Sequence, residues 1–275
     1  MKRPQILGLH AEPSKQMGII LAVIPFVMAL ILYFTASHLR HIDNEKDKLL
    51  PTAGQMVTAM ERMAFTPDRR SGEYLLLEDT TASLGRIGAG VAMATALALF
   101  LGLNMGLYKG ARGLFNPFIT FIAMVPPLAI LPILFISFGV GEWGKIMLIF
   151  IGTFPIMTRD INLYVKSLPK ELIVKAQTLG ANDLALTYRI IMPMVIPRLI
   201  DSLRLSLGSA WVYLIAAEAI SATDGLGYRI FLMRRYLNMD VIIPYVLWII
   251  SLGLLIDLAL RVLVAKKYPW YLAKK

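Results

Sequence analysis

Long apolar stretches alternate along the chain with polar segments. Three of these stretches, residues 17–37, 87–108 and 113–141, contain no Asp, Glu, Lys or Arg. Each reaches the ~20 residues that an α-helix needs to cross the hydrocarbon core of a bilayer. The pattern predicts three transmembrane helices.

Three further apolar segments, residues 146–158, 205–217 and 241–256, are short or end next to an acidic residue, Glu218 or Asp257. An ionisable side chain costs several kcal/mol in lipid and is tolerated where it faces a helix bundle or an aqueous path. We therefore interpret these segments as spans too, and predict one all-α, polytopic membrane domain over residues 1–275. The six predicted spans lie at about residues 17–37, 87–108, 114–138, 143–162, 203–221 and 241–260, and the main polar loop at about 163–200.

The composition agrees with a membrane protein, because 57% of the residues are hydrophobic, 17% are charged and the mean hydropathy is +0.65. Lys and Arg far outnumber Asp and Glu in segments 1–16, 109–112, 159–204 and 261–275, but not in the segments on the other side of the predicted spans. Basic residues gather in cytoplasmic loops. We expect a multi-pass protein of the bacterial inner (plasma) membrane with both termini in the cytoplasm, and the net charge of +10 requires no nucleic-acid partner.

The loop between the fourth and fifth spans has the pattern of a helix, a turn and a second helix. Pro169 and Glu171 suit a first helical turn, and Gly180 suits the left-handed position that ends a helix. A second helix over residues 184–192 is predicted to end at Pro193, and either Asn182 or Asp183 is predicted to cap its start. The first helix has one apolar stripe, formed by Leu172, Ile173, Ala176 and Leu179.

Three interpretations of this loop are open on pattern alone. A DNA-reading helix–turn–helix is disfavoured, since both ends are tied to membrane spans and could not enter a groove freely. A short amphipathic helix held at the cytoplasmic surface suits a groove on a partner protein better. A loop with only a structural role is equally compatible with the periodicity.

The fifth span carries a polar stripe. Ser202, Ser206, Ser209 and Tyr213 recur at helical spacing, which predicts a shared face. Such a face lines a translocation path or forms hydrogen bonds between helices. Glu218 follows as a further candidate residue of the path, either a gate or a structural pin, and Asp257 in the sixth span is predicted to pair with Arg261.

Other motifs are interpreted structurally. Residues 139–146 match a glycine-rich nucleotide pattern, but Ile146 replaces the Ser or Thr that such a loop needs. We predict a tight turn there, with Trp143 and Lys145 at the membrane interface. Gly102 and Gly106 form a G-x-x-x-G pattern typical of close helix packing.

Three smaller features complete the pattern. Thr52 is predicted to cap a short helix over residues 53–63 that lies on the membrane surface. His38 and His41 are interpreted as a surface pair. The chain has no cysteine and therefore no disulfide framework.

The polar loop also resembles a known signature. Gly180 followed by Ile190, Met192 and Pro193 is similar to the E-A-A-x3-G-x9-I-x-L-P loop of ABC importer permeases, although Val174 stands where that family usually has an acid. From about residue 50 to 244 the chain resembles the nitrate/sulfonate/taurine/bicarbonate branch. The supporting stretches are 50–52, 78–84, 138–141, 175–181 and 217–228.

This resemblance implies a type I ABC importer permease fold and a homodimer. It also implies docking of each loop to an ATPase subunit, and delivery of the solute by an extracytoplasmic binding protein. The coupling residues implied are Lys170, Glu171, Lys175, Ala176, Leu179, Gly180, Ala181 and Pro193. No cofactor is expected in this chain, because the partner ATPase would use ATP and Mg²⁺.

We therefore expect a non-catalytic permease that imports a small anionic or zwitterionic solute of the nitrate, sulfonate or taurine class. The alternative is an ion-coupled secondary transporter that uses Glu218 and Asp257 as its carboxylates. No side chains form an arrangement typical of general acid–base, nucleophilic or metal catalysis. An enzyme is therefore not expected.

Overall fold

The computed structural model describes residues 14–44, 47–68 and 72–272, and these residues are helical with no β-strand. The helices of the first part of the chain are α1 Lys15–Asp43, α2 Ala53–Phe65, α3 Leu75–Leu107, α4 Lys109–Met124, α5 Leu131–Phe138 and α6 Glu142–Lys166. Those of the second part are α7 Lys170–Thr178, α8 Asp183–Ala185, α9 Met192–Ser221, α10 Leu226–Arg235, α11 Met239–Lys267 and α12 Pro269–Leu272. A 3₁₀ turn, Pro127–Ile130, precedes α5, and a π-helical stretch, Leu186–Ile191, joins α8 to α9. The all-α prediction is confirmed.

The described residues divide into two compact units. One contains the residues up to Arg62 together with Met233–Pro244, and the other contains Met63–Leu232 and the residues from Tyr245 onwards. In the first unit, α1 exposes apolar side chains around its whole circumference, which is typical of a helix surrounded by lipid. Ser37 on α1 donates a hydrogen bond to the carbonyl of Leu50 (2.8 Å), so the chain after α1 returns along the helix.

Helix α2 begins as the sequence predicts. The Thr52 hydroxyl accepts a hydrogen bond from the backbone N–H of Gln55 (3.3 Å), and the Gln55 side chain accepts one from the N–H of Thr52 (2.8 Å). These reciprocal bonds form a capping box. The helix extends two residues beyond the predicted end, to Phe65.

The second unit is built on the close approach of α3 and α6. A Cβ atom on Gly102 would lie 2.7 Å from Cβ of Ile161, and one on Gly106 would lie 2.4 Å from Cβ of Val165. Both distances are shorter than any real contact, so only glycine permits this helix separation. The packing predicted for the G-x-x-x-G pattern is therefore confirmed, and α9 packs against the same pair.

Among the described residues, four helices are long and apolar enough to cross a bilayer: α1, α3, α6 and α11. Two bent pairs raise the number to six if each pair is one span, α4 with α5 (87°) and the α8–α9 helix with α10 (54°). The third predicted span is therefore not a straight helix. Pro126 and Pro127 occupy the break, because proline lacks an N–H and disfavours helical geometry in the residue before it.

The fifth span also differs from the prediction. Pro193 does not end a helix but lies in the first turn of α9, where its missing N–H costs little. The helical path is continuous from Asp183 through the π-helical stretch to Ser221. The second helix of the polar loop and the fifth span are therefore one element.

Candidate functional site

The turn after α7 has the geometry that Gly180 predicts. Its φ is +87°, a left-handed conformation, and its N–H bonds the carbonyl of Gln177 (2.9 Å). The N–H of Ala181 bonds the carbonyl of Ala176 (3.0 Å). These two bonds define a Schellman motif, in which glycine avoids the steric cost of a side chain. The turn directs the chain into α8, whose cap is Asn182: its side chain accepts from the N–H of Ala185 (2.7 Å).

One face of α7 packs against the helix bundle. Ala176 is buried, and Leu172 and Ile173 are partly buried, in the core cluster that also includes Ile161 and Ile191. Leu179, predicted to share this stripe, is 79% exposed. The prediction is wrong for Leu179 because this residue follows the last helical residue and has left the helical path.

The opposite face of the loop is exposed and mixed in character. Val174, Leu179 and Leu184 present apolar side chains. Charged side chains lie beside them on Lys170, Glu171 and Lys175, all exposed. Apolar groups surrounded by charges can bind a complementary protein surface.

A hydrogen bond that the sequence did not indicate connects this loop with α3. The Tyr108 hydroxyl, directly after α3, pairs with Oγ1 of Thr187 (2.7 Å) and donates to the carbonyl of Asp183 (3.2 Å). Thr187 Oγ1 in turn donates to that same carbonyl (2.7 Å). The loop is therefore attached to the α3–α6 pair by polar as well as apolar contacts.

The serine stripe borders a groove between α6 and α9 with a volume of about 160 Å³. Its polar lining consists of Thr153, Asp160, Ser202, Ser206 and Ser209, and its other lining residues are Gly152, Ile156 and Leu205. We call this the hydroxyl groove. Tyr213 lies beyond it, with its ring against Gly152, and borders a second cavity of about 160 Å³ next to the break between α4 and α5.

Glu218 does not belong to this groove. It is fully buried and faces α3, where its carboxylate accepts hydrogen bonds from Ser83 (2.8 Å), Arg86 (2.7 Å) and the N–H of Gly227 (2.8 Å). Gly225 has a φ of +111°, and a Cβ there would lie 2.5 Å from Oε1 of Glu218. Of the two predicted roles, a gate and a structural pin, the geometry favours the pin, because Glu218 holds the turn after α9 against α3.

Arg86 is the centre of a larger set of ion pairs, which we call the buried network. Its side chain is 4% exposed and binds Glu142 (2.6 Å) and Asp224 in addition to Glu218. A second pair lies beside it, in which Arg229 donates to Asp79 (2.7 Å). Asp79 also accepts from the hydroxyl of Tyr245 (3.1 Å). The network joins α3, α6, α9, α10 and α11 at the end of the bundle away from α7.

A second set surrounds the other end of α9, and we call it the coupling-end network after the role that we propose for the loop over residues 170–193. Arg204 pairs with Asp201 (2.9 Å) and with Asp257 (2.8 Å). Asp257 also pairs with Arg261 (2.7 Å), which confirms the predicted contact. The hydroxyl of Tyr271 donates to Asp201 (2.9 Å). Burial, followed by its bond to Asp201, raises the pKa of Tyr271 to about 12, so it remains a neutral donor.

A third ion pair at this end, between Asp160 and Arg198, joins α6 to α9. Both carboxylates of the alternative transporter hypothesis, Glu218 and Asp257, are thus bound by arginines.

The glycine-rich segment before α6 forms a turn, as predicted. Gly139 has a φ of +82°, and a Cβ on Gly144 would lie 2.4 Å from the carbonyl oxygen of Gly139. Lys145 is a correction: it is 3% exposed and donates to Glu142 (2.8 Å), so it is not at the surface like Trp143, which is 60% exposed. The glycines serve the chain reversal between α5 and α6.

A family model and two relatives all identify this chain as similar to transport permeases. Residues 88–267 match the family described as "Binding-protein-dependent transport system inner membrane component". A probable ABC transporter permease protein of Brucella melitensis biotype 1 is 36% identical over 71% of this chain and 79% of its own length. The taurine transport system permease protein TauC of Escherichia coli K12 is 36% identical over 71% of both chains.

The fold also matches a solved structure. A chain of the MetNI methionine ABC transporter in an inward-facing conformation aligns with a TM-score of 0.62. The alignment covers 72% of this chain and 99% of the other, at 18% sequence identity. At this identity the similarity concerns the fold.

Proposed function

This chain belongs to the inner membrane components of binding-protein-dependent transport systems and is a non-catalytic permease subunit of an ABC importer; we propose that residues 170–193 couple it to the ATPase. It is a multi-pass inner membrane protein that works with ATPase and substrate-binding partners. We further propose that both termini and the 170–193 loop are cytoplasmic and that the permease is a homodimer. The coupling surface consists of Lys170, Glu171, Lys175, Ala176, Leu179, Gly180, Ala181 and Pro193.

The observation that carries this proposal is that α7 packs one face against the helix bundle, while the other face and the turns beside it remain exposed. Its inner face is fixed in the core through Ala176, whereas Val174, Leu179 and Leu184 project outwards. A partner that covers these exposed apolar groups would grip an element that is packed against the bundle. Movement of the partner would then move the helices, not only the loop.

The route from the loop to the transport path is short. The chain is helical from Asp183 to Ser221, so displacement of the loop would be transmitted directly to the helix that carries Ser202, Ser206 and Ser209. ATP and Mg²⁺ would bind in the partner, and the state of the nucleotide would bias the access of the solute. Such a coupling is reciprocal, since solute access would bias nucleotide binding equally.

The proposed solute is small and anionic or zwitterionic, of the nitrate, sulfonate or taurine class. Support comes from the similarity to TauC, whose name states taurine transport. The solute would be delivered by the extracytoplasmic binding protein and pass along α9 into the cytoplasm.

The test is purification of the tagged chain from its native membrane in mild detergent, with mass spectrometry of the co-eluting proteins and measurement of ATPase activity. Gly180→Leu is the decisive variant. No heavy atom outside its own turn lies within 4 Å of a Cβ at Gly180, so a side chain there strains the backbone by ~1 kcal/mol although its Cβ meets no neighbour. We expect the normal chain to retain an ATPase and the variant to lose it.

Gly113→Leu is the matched control. Gly113 is also exposed and its Cβ would also meet no atom, but it has no left-handed φ. An ATPase retained by Gly180→Leu with undiminished activity would contradict coupling through this turn. An ATPase absent from the normal chain would contradict the whole proposal.

A further inference from the structure

The hydroxyl groove has room for a solute. Its volume of about 160 Å³ is more than ten times the ~15 Å³ that one water molecule requires. It is lined by two helix faces, Thr153 and Asp160 on α6, and Ser202, Ser206 and Ser209 on α9. Its size and polarity therefore suit a small polar molecule.

Two of the four hydroxyl groups in the groove are oriented by backbone bonds. Thr153 donates its proton to the carbonyl of Ile149 (2.8 Å), and Ser206 donates to the carbonyl of Ser202 (2.9 Å). A hydroxyl group has one proton and two lone pairs. With their protons used within the helices, Thr153 and Ser206 offer lone pairs to the groove.

Ser202 and Asp160 offer further lone pairs to the groove, and Ser202 also keeps a proton that it can donate. Ser202 is 4% exposed, and its hydroxyl has no hydrogen-bond partner within the described residues. Asp160 contributes a carboxylate whose two oxygens bind Arg198, which leaves further lone-pair sites. The Arg198 side chain does not line this groove but a separate cavity beside Trp270 and Tyr271.

We propose that the hydroxyl groove receives the ammonium end of a zwitterionic solute during transport. An ammonium group carries a positive charge and N–H donors, which match a carboxylate and a set of hydroxyl lone pairs. A sulfonate or a nitrate is negatively charged and has only acceptors, so it would be repelled by Asp160 and could accept a hydrogen bond from Ser202 but not from Thr153 or Ser206. This inference rests on the proposed permease function and narrows its solute class from anions and zwitterions to zwitterions.

The absence of cysteine from the sequence permits a direct test on the assembled transporter. A single Ser209→Cys substitution places a thiol in the groove. The probes are 2-aminoethyl methanethiosulfonate, which carries an ammonium group, and its 2-sulfonatoethyl counterpart. Their rates at the protein thiol are divided by their rates with 2-mercaptoethanol, so that intrinsic reactivity cancels.

We expect the ammonium reagent to be favoured by no more than about tenfold, the low end of the rate effects produced by a cleft of one charge sign, because Arg198 offsets part of the charge of Asp160. Adding Asp160→Asn should abolish or reverse this preference, because the charge of Arg198 is then uncompensated. Thr153→Val should reduce it, whereas Thr95→Val should not. Thr95 forms the same type of bond, to the carbonyl of Val91 (2.7 Å), but on α3 and away from the groove.

Equal rates, faster reaction of the sulfonate, or a thiol that neither reagent reaches would overturn the inference. So would a preference that persists in Asp160→Asn. The proposed coupling function is assessed separately in the same preparation through the ATPase that co-purifies. Loss of that ATPase and loss of the ammonium preference are therefore distinguishable results.

Discussion

The two ends of α9 are held by arginine–carboxylate networks that differ in burial. In the buried network Arg86 is 4% exposed and Glu218 is 0% exposed. In the coupling-end network the exposure rises from 10% at Asp201 and 20% at Arg204 to 27% at Asp257 and 63% at Arg261. The same side-chain types thus occur in environments with very different electrostatic consequences.

Burial determines what each network can do. Removing one member of a buried ion pair leaves an unpaired charge in a medium that cannot solvate it, so the geometry is strongly enforced. An exposed pair loses little when it opens, because water replaces the partner. We therefore expect the Glu218 end of α9 to act as a fixed point, and the ion pairs of Asp257 at the other end to open more readily when the proposed coupling loop moves.

The largest effect is expected at the fixed end. Glu218→Gln removes the charge that faces Arg86 while retaining the side-chain volume. We expect the free energy of unfolding to fall by about 3–5 kcal/mol, the range for one lost partner of a buried pair. Thermal unfolding in detergent, followed by the loss of the monodisperse size-exclusion peak, measures this change.

Glu61→Gln is the control, since Glu61 lies on the exposed surface of α2. A melting temperature of Glu218→Gln equal to that of the control would mean that Arg86 is sufficiently paired by Glu142 and Asp224. The contrast between the two ends of α9 would then not depend on Glu218.

A second prediction concerns helix packing at the coupling end. It tests whether the contact between α3 and α6 yields as readily as the ion pairs there. Gly106→Ala places a Cβ 2.4 Å from that of Val165, so α3 and α6 must separate close to the coupling loop. We expect a loss of about 1–3 kcal/mol in the free energy of unfolding, as for other overpacked contacts. Gly88→Ala on the same helix meets no atom within 4 Å and should be neutral or stabilising.

Equal stability of these two alanine variants would mean that the α3–α6 contact near the loop yields easily. The adjustable part would then include α3, not α9 alone.

Local features of this fold could be predicted from the sequence, and distant ones could not. The apolar helices follow from hydrophobic runs, and the end of α7 follows from Gly180, because both depend on neighbouring residues. The buried network depends on contacts such as that between Ser83 and Glu218, which lie on helices far apart in the chain. Hydrophobic periodicity contains no information about such partners.

Some of the differences had a local signal. Glu218 lies five residues after Tyr213, which is roughly 140° around a helix at 100° per residue, so it could not share the serine face. Pro126 and Pro127 likewise marked the break between α4 and α5. The exposure of Leu179 had no such signal, because it depends on where the helix ends relative to the core.

The middle of α9, between the two networks, offers a third prediction. The indole N–H of Trp211 is buried without a partner within the described residues, and a Cβ at Gly253 on α11 would lie 3.5 Å from it. Gly253→Ser brings a hydroxyl oxygen to this donor. We expect a stabilisation of about 1 kcal/mol, the net value of a hydrogen bond that satisfies a buried group.

Gly253→Ala is the control, because alanine also has a higher helix propensity than glycine but adds no hydroxyl group. If serine is no more stabilising than alanine in thermal unfolding, the indole N–H is already satisfied, for example by water or lipid.

The smallest effect is expected at the adjustable end. Asp257→Asn removes the charge that Arg204 and Arg261 share, yet Arg204 retains Asp201, and Arg261 is largely exposed. The free energy of unfolding should therefore fall by no more than about 1 kcal/mol, the typical value of an exposed pair. Thermal unfolding beside Glu218→Gln gives the difference directly. A loss as large as that of Glu218→Gln would show that the coupling end is pinned as firmly as the other. In that case α9 could not pivot about Glu218, and the loop would have to move together with the whole bundle.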